Sequence, residues 1–525
     1  MTHASTDARI TRRQALIGAA GLGGLAVLGF GGYEFASTDG SSAPAADHVL
    51  RTSQSDVTIG ASEQRTWAYG ERVPGPELRL TRGEQVRIRL ENELPADTTV
   101  HWHGIRLRND MDGVPGLTQD PVKPGEQFLY EFVPPDAGTF FYHSHVGVQL
   151  DRSLYGPLIV EDPGEQLPYD VDAVLVIDDW LGDDGDPDAV LRNLQHGAMS
   201  HGGSGMSGMA MGSGSGMAMM NMGLSPARLT RLRTAARIGP YRTLSGAAPR
   251  LTQAAGLANA MRAGVADSGD VRYRAHLING HVPLDPEMVR ANPGQVIRLR
   301  LINAAGDTLY LVHGDGAPLS VVAADGLPVE RRETDAILMG MGERYDVLIK
   351  ATDRPVRIVA EALGKGGVAL AAIVPTGANA ELELSGVTQP VRVLGQEDLT
   401  AKGGALRVSD PAATHPLVLG WSMPYTWTVS DPDGGDEDLN VRLGSQVRLA
   451  MRNDTSMPHP MHFHGHSFRV VQGETYGPLK DTVLVAPGDT IAVDVAADNP
   501  GKWMLHCHNA YHLGANMMRT VVVKA

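Results

Sequence analysis

The sequence predicts an all-β chain built from three related β-sandwich domains. Three observations carry that expectation. Turn residues are abundant, and apolar residues alternate over short runs such as Val86-Arg87-Ile88-Arg89-Leu90, the period-two signature of half-buried strands. A segment recurs three times at wide separation, over residues 80–92, 292–303 and 441–453. Each copy has a turn glycine (Gly83, Gly294, Gly444), an alternating strand and a closing asparagine (Asn92, Asn303, Asn453). A second element follows the first and third copies, as His101-Trp102-His103-Gly104 and His462-Phe463-His464-Gly465. After the middle copy it fades to Val312-His313-Gly314. Copies this far apart mark related domains rather than a solenoid.

At 525 residues the chain exceeds one core. Its formal net charge of -15, with no basic run, argues against nucleic acid and anionic membrane surfaces as partners; a monomer is expected. Residues 1–46 read as an export signal and linker. Thr11-Arg12-Arg13-Gln14-Ala15-Leu16 resembles the twin-arginine pattern, with Ala15 in place of the usual phenylalanine. The apolar, glycine-rich run over residues 15–30 is short for a membrane span, so a signal core is expected rather than an uncleaved anchor. Ala43-Pro44-Ala45 offers a cleavage site, and no cysteine follows the run to carry a lipid. Export by this route leads to the periplasm, cell envelope or extracellular space.

The first domain is expected over residues 47–163, the second over 164–386 and the third over 387–525. Residues 196–223 interrupt the second. They are mostly Gly, Ser, Ala and Met, a composition that cannot bury a core. The methionines are Met199, Met206, Met209, Met211, Met217, Met219, Met220 and Met222, beside His196 and His201, and thioether sulfur suits Cu(I). Residues 249–266 are alanine-rich and expected to be helical.

Four His-x-His pairs occur: His101/His103, His143/His145, His462/His464 and His506/His508. On a strand, each pair shares one face. They lie in matching places of the first and third domains, which end alike in Gly138-Thr139-Phe140-Phe141-Tyr142-His143-Ser144-His145 and Gly501-Lys502-Trp503-Met504-Leu505-His506-Cys507-His508. Eight imidazoles are too many for one metal ion and suit a cluster of about three. The corresponding stretch of the middle domain, Gly342-Glu343-Arg344-Tyr345-Asp346, has no histidine, so that domain is read as a spacer. His466 and His313 are read as structural or supporting residues. The only cysteine, Cys507, sits between His506 and His508, with His512 and Met517 downstream and His459 outside the pairs. Thiolate, imidazole and thioether form the soft set of an electron-transfer copper. Alternation then points Cys507 to one metal site and its flanking histidines to another, so the strand is a conduit for electrons.

These four segments resemble the copper signatures of the three-domain multicopper oxidases, which include laccases, bacterial copper-efflux oxidases and ferroxidases. The resemblance implies three cupredoxin-like Greek-key β-sandwiches and four copper ions. It implies that His459, Cys507 and His512 bind a type 1 copper, with Met517, not its neighbour Met518, as axial ligand. His101 and His462 would bind the type 2 copper. His103, His143 and His508 would bind one type 3 copper, and His145, His464 and His506 the other. Asp112 matches a proton-handling acid beside the cluster, although an Asp before Gly113 also reads as a turn. The second acid that copper-efflux oxidases often carry after the last type 1 histidine is Leu513 here. The implied activity is one-electron oxidation of a reductant coupled to four-electron reduction of dioxygen to water. The methionine-rich stretch favours Cu(I), in copper detoxification. Phenol oxidation and Fe(II) oxidation are alternatives, and an envelope copper buffer is the non-enzymatic one.

Overall fold

The computed structural model describes residues 45–182, 185–196, 253–378 and 390–525. Residues 1–44 of the expected signal and linker (1–46), the methionines of residues 197–223 and the expected boundary near residue 387 lie outside the described residues. Among the described residues, strands from His48 to Glu161 form two four-stranded sheets. Those from Val171 to Leu394 form two six-stranded sheets, and those from Ala413 to Lys524 a six- and a five-stranded sheet. Each pair of sheets encloses its own apolar core, giving three cupredoxin-like sandwiches.

The threefold repeat is the central strand of each domain. Strands Val86–Asn92, Val296–Asn303 and Gln446–Asn453 each run parallel to the first strand of their domain and antiparallel to a later one. The closing asparagine is a buried clip. Asn92 Nδ2 donates to the carbonyls of Ala96 (2.9 Å) and Val122 (2.8 Å), while its Oδ1 accepts the Leu94 N–H (3.0 Å). Asn303 does the same to Thr308, Met339 and Ala305, and Asn453 to Met457, Val485 and Thr455. Only a side-chain amide supplies two donors and an acceptor at once, which explains why the residue recurs. At one fixed spacing beyond the clip lie His101, Val312 and His462.

The outer copies alternate buried and half-exposed positions, but Val296–Asn303 is buried on both faces. Its outward arginines are pressed against the first domain: Arg300 Nη1 donates to Thr139 Oγ1 (3.0 Å), and Arg298 Nη2 to Asp346 Oδ2 (2.5 Å), whose other oxygen accepts the Thr139 hydroxyl (2.6 Å). Arg344, whose Nε donates to the Thr139 carbonyl (3.3 Å), pairs with Asp481 (2.5 Å), and Lys480 pairs with Glu343 (2.9 Å) and Asp325 (3.0 Å), joining the middle domain to the third.

Helix α1, Pro187–Gln195, starts at Asp186, whose side chain accepts the Asp188 N–H (3.1 Å), with Pro187 in the first turn. Its Val190, Leu191 and Leu194 pack on the core of the third domain. Helix α2, Gln253–Arg262, lies in the stretch expected to be helical, and its small buried face, including Ala254, Ala255 and Ala258, packs closely on the core of the middle domain. A short helix α3, Ala510–Gly514, follows Cys507.

Replacing Asn92 by Ala removes all three clip bonds: the half-buried Ala96 carbonyl loses this donor, the Leu94 N–H loses its acceptor, and the Val122 carbonyl keeps only the Thr98 N–H (3.0 Å). The expected cost is about 2–4 kcal/mol of stability, measured by urea unfolding. Asn92→Asp, which supplies no donor, should not restore it.

Candidate metal centre

The His-x-His pairs converge because they sit on paired strands. His101 faces His143 across strands His101–His103 and Gly138–His143. His462 faces His506 across His459–Phe463 and Gly501–Cys507, so the third domain repeats the arrangement of the first. The two domains meet ring on ring. His101 stacks on His464 (centroids 3.8 Å apart) and His103 on His462 (3.7 Å). All eight imidazoles are buried. Donor atoms of three groups gather within 4.8 Å of one another: His101, His103 and His462; His103, His143 and His508; His145, His464 and His506.

Hydrogen bonds set the tautomers. The Nδ1–H groups of His101, His143, His462 and His506 donate to the backbone carbonyls of Asp112 (2.8 Å), Ser144 (2.8 Å), Asp481 (3.0 Å) and Cys507 (2.8 Å). That of His464 donates to Asp112 Oδ2 (2.9 Å). Each ring is thereby left with an Nε2 lone pair. Nε2 of His101, His143, His145 and His462, Nδ1 of His103 and both nitrogens of His508 have no hydrogen-bond partner. Nε2 of His464 and Nε2 of His506 face each other at 2.9 Å, two lone pairs with no proton between them. Burial, reinforced by neighbouring imidazoles, lowers the pKa values of His143, His145, His464, His506 and His508 well below the ordinary value, so protonation does not relieve this. Buried, neutral, convergent lone pairs require cations, and the donor set fits copper.

The middle domain reaches this cluster. Gly342 adopts a left-handed φ of +83°, and a Cβ there would lie 2.8 Å from His508 Cδ2 and 3.0 Å from His103 Cε1. Asp481 Oδ1 lies 3.3 Å from His103 Nε2. Burial alone would raise the Asp481 carboxyl, but the Arg344 guanidinium outweighs it and holds it well below the usual carboxylate range.

The second site has the same logic. Nδ1 of His459 and Nδ1 of His512 lie 3.2 Å apart, and 3.6 and 3.5 Å from Cys507 Sγ. Their Nε2 atoms point outward, to Thr455 Oγ1 (2.7 Å) and Asp270 Oδ2 (3.3 Å), so the lone pairs face inward. Burial pushes the Cys507 thiol up and the His459 imidazole down, leaving uncharged soft donors where a cation is needed. Met517 is fully buried in the same core, and its carbonyl accepts the Cys507 N–H (3.0 Å). Met518 is 37% exposed. Trp427 stacks on His512 (centroids 3.9 Å apart), and the Tyr425 hydroxyl donates to Asp270 Oδ2 (2.6 Å). His512 is completely covered.

Every histidine and cysteine read from the sequence as a ligand falls in one of the four clusters. Asp112 touches two of those residues. His466 stacks on Phe463 and donates to the His464 carbonyl (3.1 Å), a supporting place. Sequence reasoning missed Asp270, Asp481 and Trp427. Each lies far in sequence from at least one group it supports, and the sole local cue was the acidic run around Asp267 and Asp270.

Three sequence profiles, each described as multicopper oxidase, match residues 51–165, 252–366 and 411–525. The chain is 34% identical over 467 residues to the multicopper oxidase MmcO of Mycobacterium tuberculosis, across 88% of this chain and 84% of that one. It is 25% identical over 594 residues to a copper resistance protein A homolog of Pseudomonas syringae pv. tomato, across 93% of each. The crystal structure of a multi-copper oxidase from Pseudomonas thermotolerans superposes with a TM-score of 0.62 at 26% identity, across 91% of this chain and 100% of that one.

Asp112→Ala strips the acceptor from His464 Nδ1 and frees that ring to turn. Copper affinity of the imidazole cluster should fall about 10–100-fold, read as lower copper-to-protein stoichiometry with the visible band of the thiolate site retained.

Proposed function

The chain belongs to the multicopper oxidase family, and from that premise we propose that it oxidises Cu(I) and thereby detoxifies copper. It is a copper-dependent oxidoreductase with dioxygen as acceptor and four copper ions as cofactors. In our assignment His459, Cys507, His512 and Met517 would hold the type 1 ion, and His101 and His462 the type 2 ion. His103, His143 and His508 would hold one type 3 ion, and His145, His464 and His506 the other. When bound, these ions supply one-electron oxidation of the reductant and four-electron reduction of dioxygen to water.

The residues divide the remaining work. Cys507 is covalently continuous with His506 and His508, so one strand connects the thiolate site to the imidazole cluster. Asp112 fixes His464 through Oδ2, and its Oδ1 accepts no hydrogen bond, which suits it to hold and pass protons on the dioxygen side. The middle domain, within proposed limits of 164–386, contributes no ligand.

The observation that carries the substrate reading is the outer edge of His512. The ring lies under Trp427, and its Nε2–H ends on the Asp270 carboxylate. A carboxylate attracts a metal cation, whereas a bulky phenol has no open face of the imidazole to touch. Among cations, the methionines of residues 199–222 favour Cu(I). Helix α1 ends just before that stretch, and its Leu191 packs within 2.9 Å of where a Cβ of Gly514, in the helix carrying His512, would stand. Arg12 and Arg13 support export by the twin-arginine route to the periplasm, envelope or exterior. Among the described residues no helix is long and apolar enough to cross a membrane.

Dioxygen uptake with Cu(I), Fe(II) and a simple phenol as reductants tests the substrate. Deleting residues 196–223 should lower Cu(I) turnover several-fold and leave phenol turnover in place. Unchanged Cu(I) kinetics would sink the Cu(I) reading. Cys507→Ser should abolish the intense visible absorption and the turnover together. Uptake that survives without the colour would refute the strand as the electron path.

A further inference from the structure

Asp307 belongs to the middle domain, which holds no ligand, yet it reaches the thiolate site by two arms. The carboxylate is 1% exposed. Its Oδ1 accepts a short hydrogen bond from Asn509 Nδ2. Its Oδ2 accepts the Val271 N–H (2.8 Å) and pairs with Lys365 Nζ (2.6 Å), which also donates to the carbonyls of Asp307 (2.6 Å) and Val271 (2.9 Å).

The first arm sets the backbone of His512. Asn509 is the N-cap of α3, and its Oδ1 accepts the N–H groups of Tyr511 (3.0 Å) and His512 (3.2 Å). Beside it, the Ala510 N–H donates to the Gly306 carbonyl (2.8 Å). The second arm sets the ring. Val271 follows Asp270, whose Oδ2 accepts the His512 Nε2–H (3.3 Å). Gly269, at φ +117°, lets this loop close on Asp307, since a Cβ there would stand 2.5 Å from Oδ2. The clamp is itself anchored. Asp179 accepts from the Gly306 N–H (2.8 Å), the Asp307 N–H (3.1 Å) and the Thr308 hydroxyl (2.5 Å).

We propose that Asp307, charge-balanced by Lys365, is a positioning residue for the type 1 site: it fixes His512 at both its helix and its ring, and so sets that ligand's geometry from a neighbouring domain. A side chain pinned at both ends cannot swing when its metal changes charge, and such supporting contacts usually govern affinity and redox behaviour. The proposal rests on reading His459, Cys507 and His512 as one copper site.

The test uses Asp307→Asn and Asn509→Ser. The serine keeps a capping oxygen but loses the amide donor to Asp307, which separates the clamp from the cap. Hydrogen exchange on the copper-free full chain should be about 10-fold faster for the Tyr511 and His512 amides in Asp307→Asn, and faster in the same direction in Asn509→Ser. The copper-loaded variants should show a shifted visible band and about 10-fold weaker copper binding at the thiolate site. Wild-type exchange at those amides together with a wild-type band in Asn509→Ser overturns the clamp, even if Asp307→Asn fails to fold. A wild-type protein with no thiolate-to-copper band would instead overturn the site assignment, a separate outcome that the exchange data on copper-free protein do not depend on.

Discussion

Ten imidazoles and one thiol, brought together in the dry interior with their lone pairs facing one another, are the constraint on which the rest of the structure depends. A polar atom stripped of water and given no partner costs about 1–3 kcal/mol. Several such atoms in one place would drive the domains apart unless their positions were imposed from outside. The imposition is visible at seven of the ten rings. One nitrogen of His101, His143, His459, His462, His464, His506 and His512 is committed to a carbonyl, a hydroxyl or a carboxylate, and the other is forced inward. The scaffold thus bears the unfavourable arrangement in advance, and cation binding relieves it.

The middle domain does much of this imposing. Arg344 grips Asp481 beside His103, and Lys480 sits between Asp325 and Glu343. Breaking a buried ion pair by removing one partner costs about 3–5 kcal/mol, so none of these charges can be lost singly without weakening the contact between domains. Losing its ligands did not reduce this domain to packing material. Its Asn303 clip is intact while Val312 and Gly314 stand where the outer domains have histidines, and its charged groups act on ligands owned by its neighbours.

Much of this was legible in the sequence. The closing asparagines, the period-two strands and the His-x-His pairs are local patterns, and each reports a local geometry: a clip, an alternation, two rings on one face. The repeat by itself implied only that the first and third domains face each other across a shared cluster; the grouping of the ligands came from the resemblance to the multicopper oxidases. Asp270, Asp307, Asp481 and Arg344 were not legible, for a physical reason. Each acts across a domain boundary on a residue up to several hundred positions away, and an Asp that orients a histidine is written no differently from one that faces water. Trp427 was hidden in the same way, as the single aromatic on an ordinary hairpin strand. The reading of the middle domain as a spacer came from what it lacks, and its contribution lies in interdomain contacts that leave no spacing to find.

The face-to-face stacking of His101 on His464 and of His103 on His462 has a bearing on biosynthesis. A ribosome releases the first four of these histidines, His101 to His145, long before His506 and His508 exist. The early half offers a stray zinc ion only part of a coordination sphere, and the remainder arrives from the far end of the polypeptide. Selection of the right metal is therefore deferred until translation is nearly done and the outer modules have met, which makes cofactor capture a checkpoint on the finished protein.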